Sequence, residues 1–425
     1  MNRFKFVVMS GLAILFAFSP CSGGSTPKPT IDIGADMSDI LSFDTAVRDG
    51  AALAIAQADS VRGFRLRLVP YDDTEQGAWS ADAGADNMQK MVADPRMLGM
   101  LGPLRGPVVQ SELPIANQAA LAMVSPTVTE LCLTHPFGRC SLFNTQSDSQ
   151  AYALRLRPTG KNNYFHLAAT DDLQGPAMAE FAYNRLNLRR IAVVDFASAF
   201  GSFASDSFVA AFTRAGGAVV ARQSFDLAPG PVAPDFRPWL RQVKAANAEA
   251  IYTGGLDFDQ VGPLSQSGGI LGPNFYYLGI DELPDVSPVH GIVESAAERG
   301  SLNDHFYASR GIGAPYLNAE AASTIAAFAK LHPDPAENYS VALAGYDAAT
   351  ILIDAIGRAI DANGGKIPSR QQVVDQLSKT ENFHGLTGTY SFTADGDPVT
   401  STLQIVQYRA GAWTALTNMT IANRV

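Results

Sequence analysis

Apolar and polar positions follow two periods in the first part of the chain. Within residues 47–58, apolar side chains recur at spacings of three and four residues, at Val47, Ala51, Ala54, Ile55 and Ala58. This spacing predicts an amphipathic helix. Residues 64–68 alternate apolar side chains with arginines, which predicts a half-buried strand. A helix followed by a strand is therefore the first structural unit that the sequence predicts.

The same succession continues along the chain. Further strands are predicted at 97–101, 122–125, 164–167, 191–195, 219–223, 250–253 and 275–279. Helices are predicted at 81–92, 108–119, 176–186, 203–215, 236–246 and 259–268, then at 321–331 and 343–362, before closing strands at 388–392 and 402–408. Short buried strands that alternate with helices in units of about thirty residues indicate an α/β fold with doubly wound parallel sheets. A chain of 425 residues is long enough for two such lobes.

The first 21 residues have the pattern of an export signal. Arg3 and Lys5 precede an almost wholly apolar run, residues 6–18, and Ser19, Pro20 and Cys21 follow. The polar stretch 22–29 is typical of a flexible tether. The layout resembles a bacterial lipoprotein signal with Cys21 as the lipid attachment site, although Pro20 stands where a small residue is usual. Simple secretion is the alternative, and both predict an exported, periplasmic protein.

Charge and motifs narrow the classes of function. The formal net charge of −10, without a run of lysines and arginines, argues against nucleic acid as a partner. The sequence contains no His-Glu-x-x-His, no Gly-x-Ser-x-Gly and no Gly-x-x-x-x-Gly-Lys, and its six histidines are scattered. We therefore expect no catalytic residues, no metal and no cofactor. In an exported protein, Cys132 and Cys140 are expected to form a disulfide across a short loop, with two buried thiols as the alternative.

Two turns at strand ends are candidates for binding a small anion. Residues 102–107 and 125–129 each follow a buried strand, and the first also opens a helix, so backbone N–H groups point outward there. They are expected to lie next to each other at one edge of a sheet, where the carboxyl ends of parallel strands form a cleft. Tight turns without a ligand are the other interpretation.

Twelve segments together resemble one family, the periplasmic substrate-binding proteins of branched-chain amino acid ABC transporters. In chain order these segments are IDIGADMSD, RDGAALAIAQ, RLRLVPYDDTEQG, MLGPLRGPV, AMVSPTVTE, YFHLAATDDLQGP, IAVVDFASAFG, FVAAFTRAGGAVV, AIYTGGLDFDQ, YYLGIDEL, GYDAATILIDAI and FHGLTGTYSFTADGD. The resemblance implies a type I periplasmic-binding fold with two lobes joined by a three-strand hinge. Its lobes would comprise residues 30–163 and 283–380, and residues 164–282 and 381–425.

The resemblance also implies a set of ligand-binding positions. These are Phe43, Arg105, Gly106, Thr127, Val128, Thr129, Phe200, Leu256 and Asp281. Thr127 and Thr129 match positions that hold the ligand's charged end, Phe43 and Phe200 match aromatic positions, and Asp281 matches the acidic group that pairs with the α-ammonium. Two positions depart from the family: Gly106 replaces a serine and Leu256 an aromatic residue. Arg105 would add charge if it points inward, and a solvated surface arginine is the alternative.

The expected function is capture of a small amino-acid-like ligand and its delivery to ABC permease subunits. The alternative, implied by related lipoproteins of this fold, is a protein that activates a partner protein or senses a ligand. An occupied or empty interlobe cleft would distinguish them.

Overall fold

The computed structural model describes most of the chain after the N-terminal segment. The described residues are 29–135, 141–142, 145–146, 149–196, 199–225, 235–254, 267–272, 274–281, 305–331, 339–409 and 412–422. The strands are β1 Ile31–Asp36, β2 Ser60–Val61, β3 Phe64–Tyr71, β4 Thr74–Glu75, β5 Ala78–Trp79, β6 Met97–Leu101, β7 Ala122–Ser125, β8 Ser141–Leu142, β9 Thr145–Gln146, β10 Tyr164–His166, β11 Arg190–Phe196, β12 Ala218–Phe225, β13 Ala250–Gly254, β14 Tyr276–Gly279, β15 Phe306–Arg310, β16 Phe383–His384, β17 Thr389–Tyr390, β18 Thr400–Arg409 and β19 Ala412–Ala422. The helices are α1 Ser42–Ala58, α2 Ala81–Ala93, α3 Gly106–Gln118, α4 Ser149–Leu156, α5 Asp171–Asn184, α6 Ala199–Arg214, α7 Arg237–Ala245, α8 Ala322–Leu331, α9 Tyr339–Ala362 and α10 Arg370–Leu377.

The first lobe is built on a six-stranded sheet. Its strand order is β10-β7-β6-β1-β3-β2, and all pairs are parallel except the short β2–β3 hairpin. Every residue of β1 is buried, because helices cover both faces of the sheet. Residues of α1, α9 and α10 form the apolar layer on one face. Those of α2 and α3 pack with three methionines of the sheet, Met97, Met100 and Met123, on the other face.

Helix α9 is the central helix of this lobe. It packs along α1, and the two helices come closest at Gly50 and Gly345, where each glycine faces a main-chain carbonyl of the other helix. Among the described residues it is the one helix that is long and apolar enough to cross a membrane by length and composition, and 78% of its most apolar window is buried within the fold. Its apolar composition is accounted for by this burial.

The second lobe contains a seven-stranded mixed sheet. The order is β12-β11-β13-β14-β15-β18-β19, parallel as far as β15 and antiparallel beyond it. Phe208 of α6 stacks on Tyr252 of β13 with ring centroids 3.8 Å apart, and this pair centres the core on one face. Trp239 of α7 packs on the other face. The final strand β19, which the sequence did not predict, closes this edge through its pairing with β18.

The structure corrects two boundaries of the predicted lobes. Residues 164–166 were predicted to open the second lobe, but β10 pairs with β7 in the first sheet. Residues 306–310 were predicted in the first lobe, but β15 pairs with β14 and β18 in the second sheet. The reason is that both strands adjoin crossings between the lobes, where local periodicity does not indicate the sheet that a strand joins.

The segments that cross between the lobes are bonded to one another. Ala169 N donates to Gly311 O over 2.6 Å, which joins the segment after β10 to the segment after β15. His166 donates from Nε2 to Asp397 Oδ1 over 2.6 Å, which adds the segment before β18. Both side chains of this pair are almost fully buried, so it holds the crossing strands together away from water. Three crossings agree with the hinge that the resemblance implied.

Helix α5 begins earlier than predicted. The sequence placed its start near Pro176, with Asp171 and Asp172 before it, but the helix starts at Asp171 and contains Pro176 in its second turn. A proline there removes one intrahelical hydrogen bond, which the helix tolerates close to its N-terminus. The earlier start places Gln174 within α5, where its side chain is hydrogen-bonded to Asp281.

Candidate functional site

A cleft between the lobes brings together residues from both sheets. The described residues that line it are Phe43, Thr127, Thr129, Asp281, Arg310, Gly311, Ile312, Ser340, Val341 and Gln404. The space between these residues is partly open to solvent. Phe43, Ile312 and Val341 supply an apolar wall. The charged side chains of this lining are Asp281 and Arg310.

Asp281 lies at the carboxyl end of β14 and is held by Gln174. The Gln174 side chain donates from Nε2 to Asp281 Oδ2 over 2.8 Å and accepts from the Asp281 backbone N–H over 3.3 Å. Ser309 in turn donates from Oγ to Gln174 Oε1 over 3.1 Å. Gln174 and Ser309 are both fully buried, so this amide fixes the direction of the carboxylate without neutralising its charge.

Thr127 and Thr129 face the cleft from the loop after β7. Val128, between them, was predicted as a ligand contact, but its side chain is 5% exposed and packs in the core of the first lobe with Val109 and Leu133. Thr127 and Thr129, on either side of Val128, line the cleft instead. The hydroxyl of Thr127 is buried and has no hydrogen-bond partner among the described residues.

Arg105 does not line the cleft. It is the N-cap residue of α3, and its Nη2 donates to Asp44 Oδ1 over 3.0 Å. The guanidinium lies over the Phe43 ring, 5.2 Å from the centroid, on the pocket's aromatic wall. The predicted direct contact is thus replaced by an indirect one, because Arg105 touches the cleft residue Phe43 through a cation–π contact and is itself ion-paired with buried Asp44.

Gly106 is the first residue of α3, and Glu130 occupies the space beside it. A Cβ built on Gly106 would lie 1.7 Å from Glu130 Oε2, so the serine of the family pattern cannot fit without displacing that carboxylate. Gln110 donates from Nε2 to Glu130 Oε1 over 2.9 Å. Burial raises the pKa of Glu130 to about 7, against the lowering effect of the hydrogen bond from Gln110. The sequence did not indicate Glu130 as part of this turn.

Several predicted positions lie outside the described side chains. Phe200 falls in α6, but its side chain is not among those described, and Leu256 lies outside the described residues. Cys21 and Cys140 also lie outside them, while Cys132 is disulfide-bonded. The pairing of Cys132 with Cys140, the lipid anchor and the roles of Phe200 and Leu256 therefore stay predictions.

The structure adds six cleft residues that sequence reasoning missed: Arg310, Gly311, Ile312, Ser340, Val341 and Gln404. Arg310, at the end of β15, is opposite Gln404 of β18 in register, and both are buried. Gln404 donates from Nε2 to Ser340 Oγ over 3.2 Å, and its Oε1 has no partner among the described residues. Val341 follows Ser340 in α9. Local periodicity predicted no element at 310 or at 340–341 and marked 404 only as strand interior, so tertiary pairing alone places these residues at the cleft.

The combination of two lobes, a three-segment crossing and an interlobe cleft can be compared with known proteins. A profile of the periplasmic binding proteins matches residues 35–412. The chain belongs to this family. A curated relative, Leu/Ile/Val-binding protein homolog 3 of Brucella melitensis, is 23% identical over 250 residues, which are 57% of this chain and 56% of that protein. The chain thus aligns with little more than half the length of that relative.

Solved structures of the periplasmic binding protein family share the fold over nearly the whole chain. An ABC transporter substrate-binding protein from Desulfitobacterium hafniense in complex with Leu has a TM-score of 0.71 at 16% identity, covering 91% of this chain and 100% of that one. The branched-chain amino acid transporter substrate-binding protein LivJ from Streptococcus pneumoniae, in complex with isoleucine, has a TM-score of 0.67 at 20% identity, covering 93% and 100%. A solute-binding protein from R. palustris in complex with benzoate has a TM-score of 0.65 at 16% identity, covering 93% and 97%. The type I periplasmic-binding fold of this chain is therefore confirmed.

Proposed function

We propose that this protein is an extracytoplasmic solute-binding protein of an ABC transporter, which captures a small amino acid in the interlobe cleft and delivers it to a permease. The observation that carries the proposal is Asp281, a carboxylate oriented by Gln174 on the second lobe and facing a cleft whose other side is formed by the first lobe. A carboxylate in such a place is the natural partner of an ammonium group.

The rest of the cleft supports the same ligand class. The apolar wall of Phe43, Ile312 and Val341 suits an aliphatic side chain, and Thr127 offers a hydroxyl without a partner among the described residues. A ligand that contacts both lobes favours the closed form, because it makes more contacts in the closed form and therefore binds it more tightly than the open form. The structures of relatives bound to Leu and isoleucine support this choice of ligands for the first experiments.

Asp281→Asn is expected to lower the affinity for the amino acid that binds best by about 10- to 100-fold, because a charge-assisted hydrogen bond is replaced by a neutral one. The ligand is first found by thermal shift of the purified protein with leucine, isoleucine, valine, polar amino acids and benzoate. Isothermal titration of the wild-type protein and of Asp281→Asn then measures the loss.

Asp375→Asn is the matched control, since Asp375 is an exposed carboxylate on α10, in the first lobe. We expect it to bind like the wild-type protein. Equal affinity of Asp281→Asn and wild type would show that the ammonium is recognised elsewhere. A folded, ligand-free wild-type protein that binds nothing in the panel would contradict solute capture and favour a partner-binding role.

A further inference from the structure

The N-terminus of α3 already holds a carboxylate from the protein itself. Glu130 Oε2 lies against Gly106, the first residue of the helix, and Gln110 of the same helix bonds the other oxygen. A helix N-terminus attracts one negative group through its free N–H groups and dipole. A ligand carboxylate at this place would meet the Glu130 carboxyl group at close range, and the two would repel each other whenever Glu130 is ionised.

A buried, positively charged side chain, that of Arg310, lines another part of the same cleft. Arg310 is 7% exposed, ends β15 and lines the cleft beside Gly311. Gly311, next to Arg310, lies against the loop after β7 that carries Thr127 and Thr129, because a Cβ on Gly311 would lie 3.0 Å from Thr129 Cγ2. A guanidinium presents several N–H donors in a planar fork that fits a carboxylate with two parallel bonds. Thr127, in the same lining, adds a hydroxyl that can donate as well.

We infer that Arg310, and not the N-terminus of α3, binds the ligand's carboxylate, with Thr127 as a second donor. The inference rests on the proposed function and names the end of the ligand that each charged residue holds. Arg310 and Asp281 give this lining one positive and one negative group, which is the charge complement of a zwitterion. The apolar wall then receives the side chain, so the site selects α-amino acids over amines and over simple carboxylic acids.

The pair leucine and leucinamide tests this assignment, because leucinamide keeps the ammonium and the side chain but has no carboxylate. The wild-type protein is expected to bind leucine at least about 30-fold more tightly than leucinamide, as two charge-assisted bonds predict. Arg310→Gln should remove this preference by weakening leucine binding alone and leaving leucinamide binding within about threefold. Isothermal titration of both ligands to both proteins gives the four affinities.

Two further variants keep the test decisive. Arg310→Lys retains the charge and loses the fork, so we expect an intermediate preference for leucine and a folded protein even if Arg310→Gln is unstable. Glu130→Gln should change leucine affinity by less than about threefold, whereas a carboxylate bound at α3 would gain about tenfold or more from the lost repulsion.

The outcomes separate this inference from the proposed function. Wild-type protein that binds leucine no better than leucinamide, or Arg310 variants that weaken both ligands equally, would overturn the assignment of Arg310 while leaving solute capture standing. A large gain in Glu130→Gln would return the carboxylate to α3. Absence of binding to any amino acid by the wild-type protein would overturn both proposals.

Discussion

Gly50→Ala is expected to lower the free energy of unfolding by about 3 kcal/mol or more, and Gly345→Ala by a similar amount. A Cβ on Gly50 would lie 1.7 Å from the carbonyl oxygen of Ala342, and one on Gly345 would lie 2.1 Å from that of Val47. Both obstacles are main-chain atoms of a helix, so neither can rotate away. Relief requires α1 and α9 to move apart, which would loosen the main core of the first lobe.

Urea denaturation followed by circular dichroism measures this loss. Gly269→Ala is the matched control, because Gly269 also has helical neighbours in a short 3₁₀ turn but a Cβ there would meet nothing within 4 Å. Its effect should stay within about 0.5 kcal/mol. Equal midpoints for Gly50→Ala and Gly269→Ala would contradict the close crossing of the two helices.

The role of these glycines shows what the sequence can and cannot predict. Local periodicity was enough to place α1 and the long helix α9, because amphipathic and buried helices differ in their spacing of apolar residues. It could not identify Gly50 and Gly345 as contact points, since a glycine inside a helical pattern looks only like a weak position. Which helices touch is decided by the order of strands in the sheet, and that order is a property of the whole lobe.

The residues of the candidate site also divide into those that the sequence indicated and those that it did not. Asp281, Thr127 and Thr129 were indicated by the resemblance of their segments to the family, and the structure places all three at one cleft. Arg310 was missed because its position depends on the pairing of β15 with β18, which are about ninety residues apart in the chain. Glu130 was missed because its contact with Gly106 joins two separate loops. Sequence motifs therefore located the cleft, while non-local pairing determines the charges inside it.

The protein is expected to be more stable at pH 5 than at pH 8, because of a buried acidic cluster. This cluster consists of Asp36, Asp73 and Glu112. All three side chains are fully buried at the carboxyl edge of the first sheet. Burial and the charges of Asp36 and Asp44 raise the pKa of Asp73 to about 7, and burial next to Asp36 raises the pKa of Glu112 well above its usual range. Glu130 adds a further carboxyl group with a pKa of about 7.

The direction of this pH dependence follows from the number of protons that the folded and unfolded states bind. Above about pH 5 these carboxyl groups are already ionised in the unfolded chain, whereas in the folded protein they keep their protons until the pH reaches their folded-state pKa values near 7. The unfolded state therefore binds fewer protons, so the free energy of unfolding falls as the pH rises through the folded-state pKa values near 7. We expect a loss on the order of a few kcal/mol, seen as a decrease in melting temperature of several degrees.

Asp73→Asn tests whether the cluster causes this decrease. Both Asp73 carboxylate oxygens are without a hydrogen-bond partner among the described residues, so an uncharged amide of the same shape loses no bond that the described residues provide. The variant should melt a few degrees above the wild-type protein at pH 8 and close to it at pH 5, because only the ionised carboxylate is costly to bury. Asp86→Asn, an exposed change on α2, should leave the pH profile of the wild-type protein unchanged. A wild-type melting temperature that rises from pH 5 to pH 8 would show that these groups are ionised in the folded protein and that water or a cation reaches them.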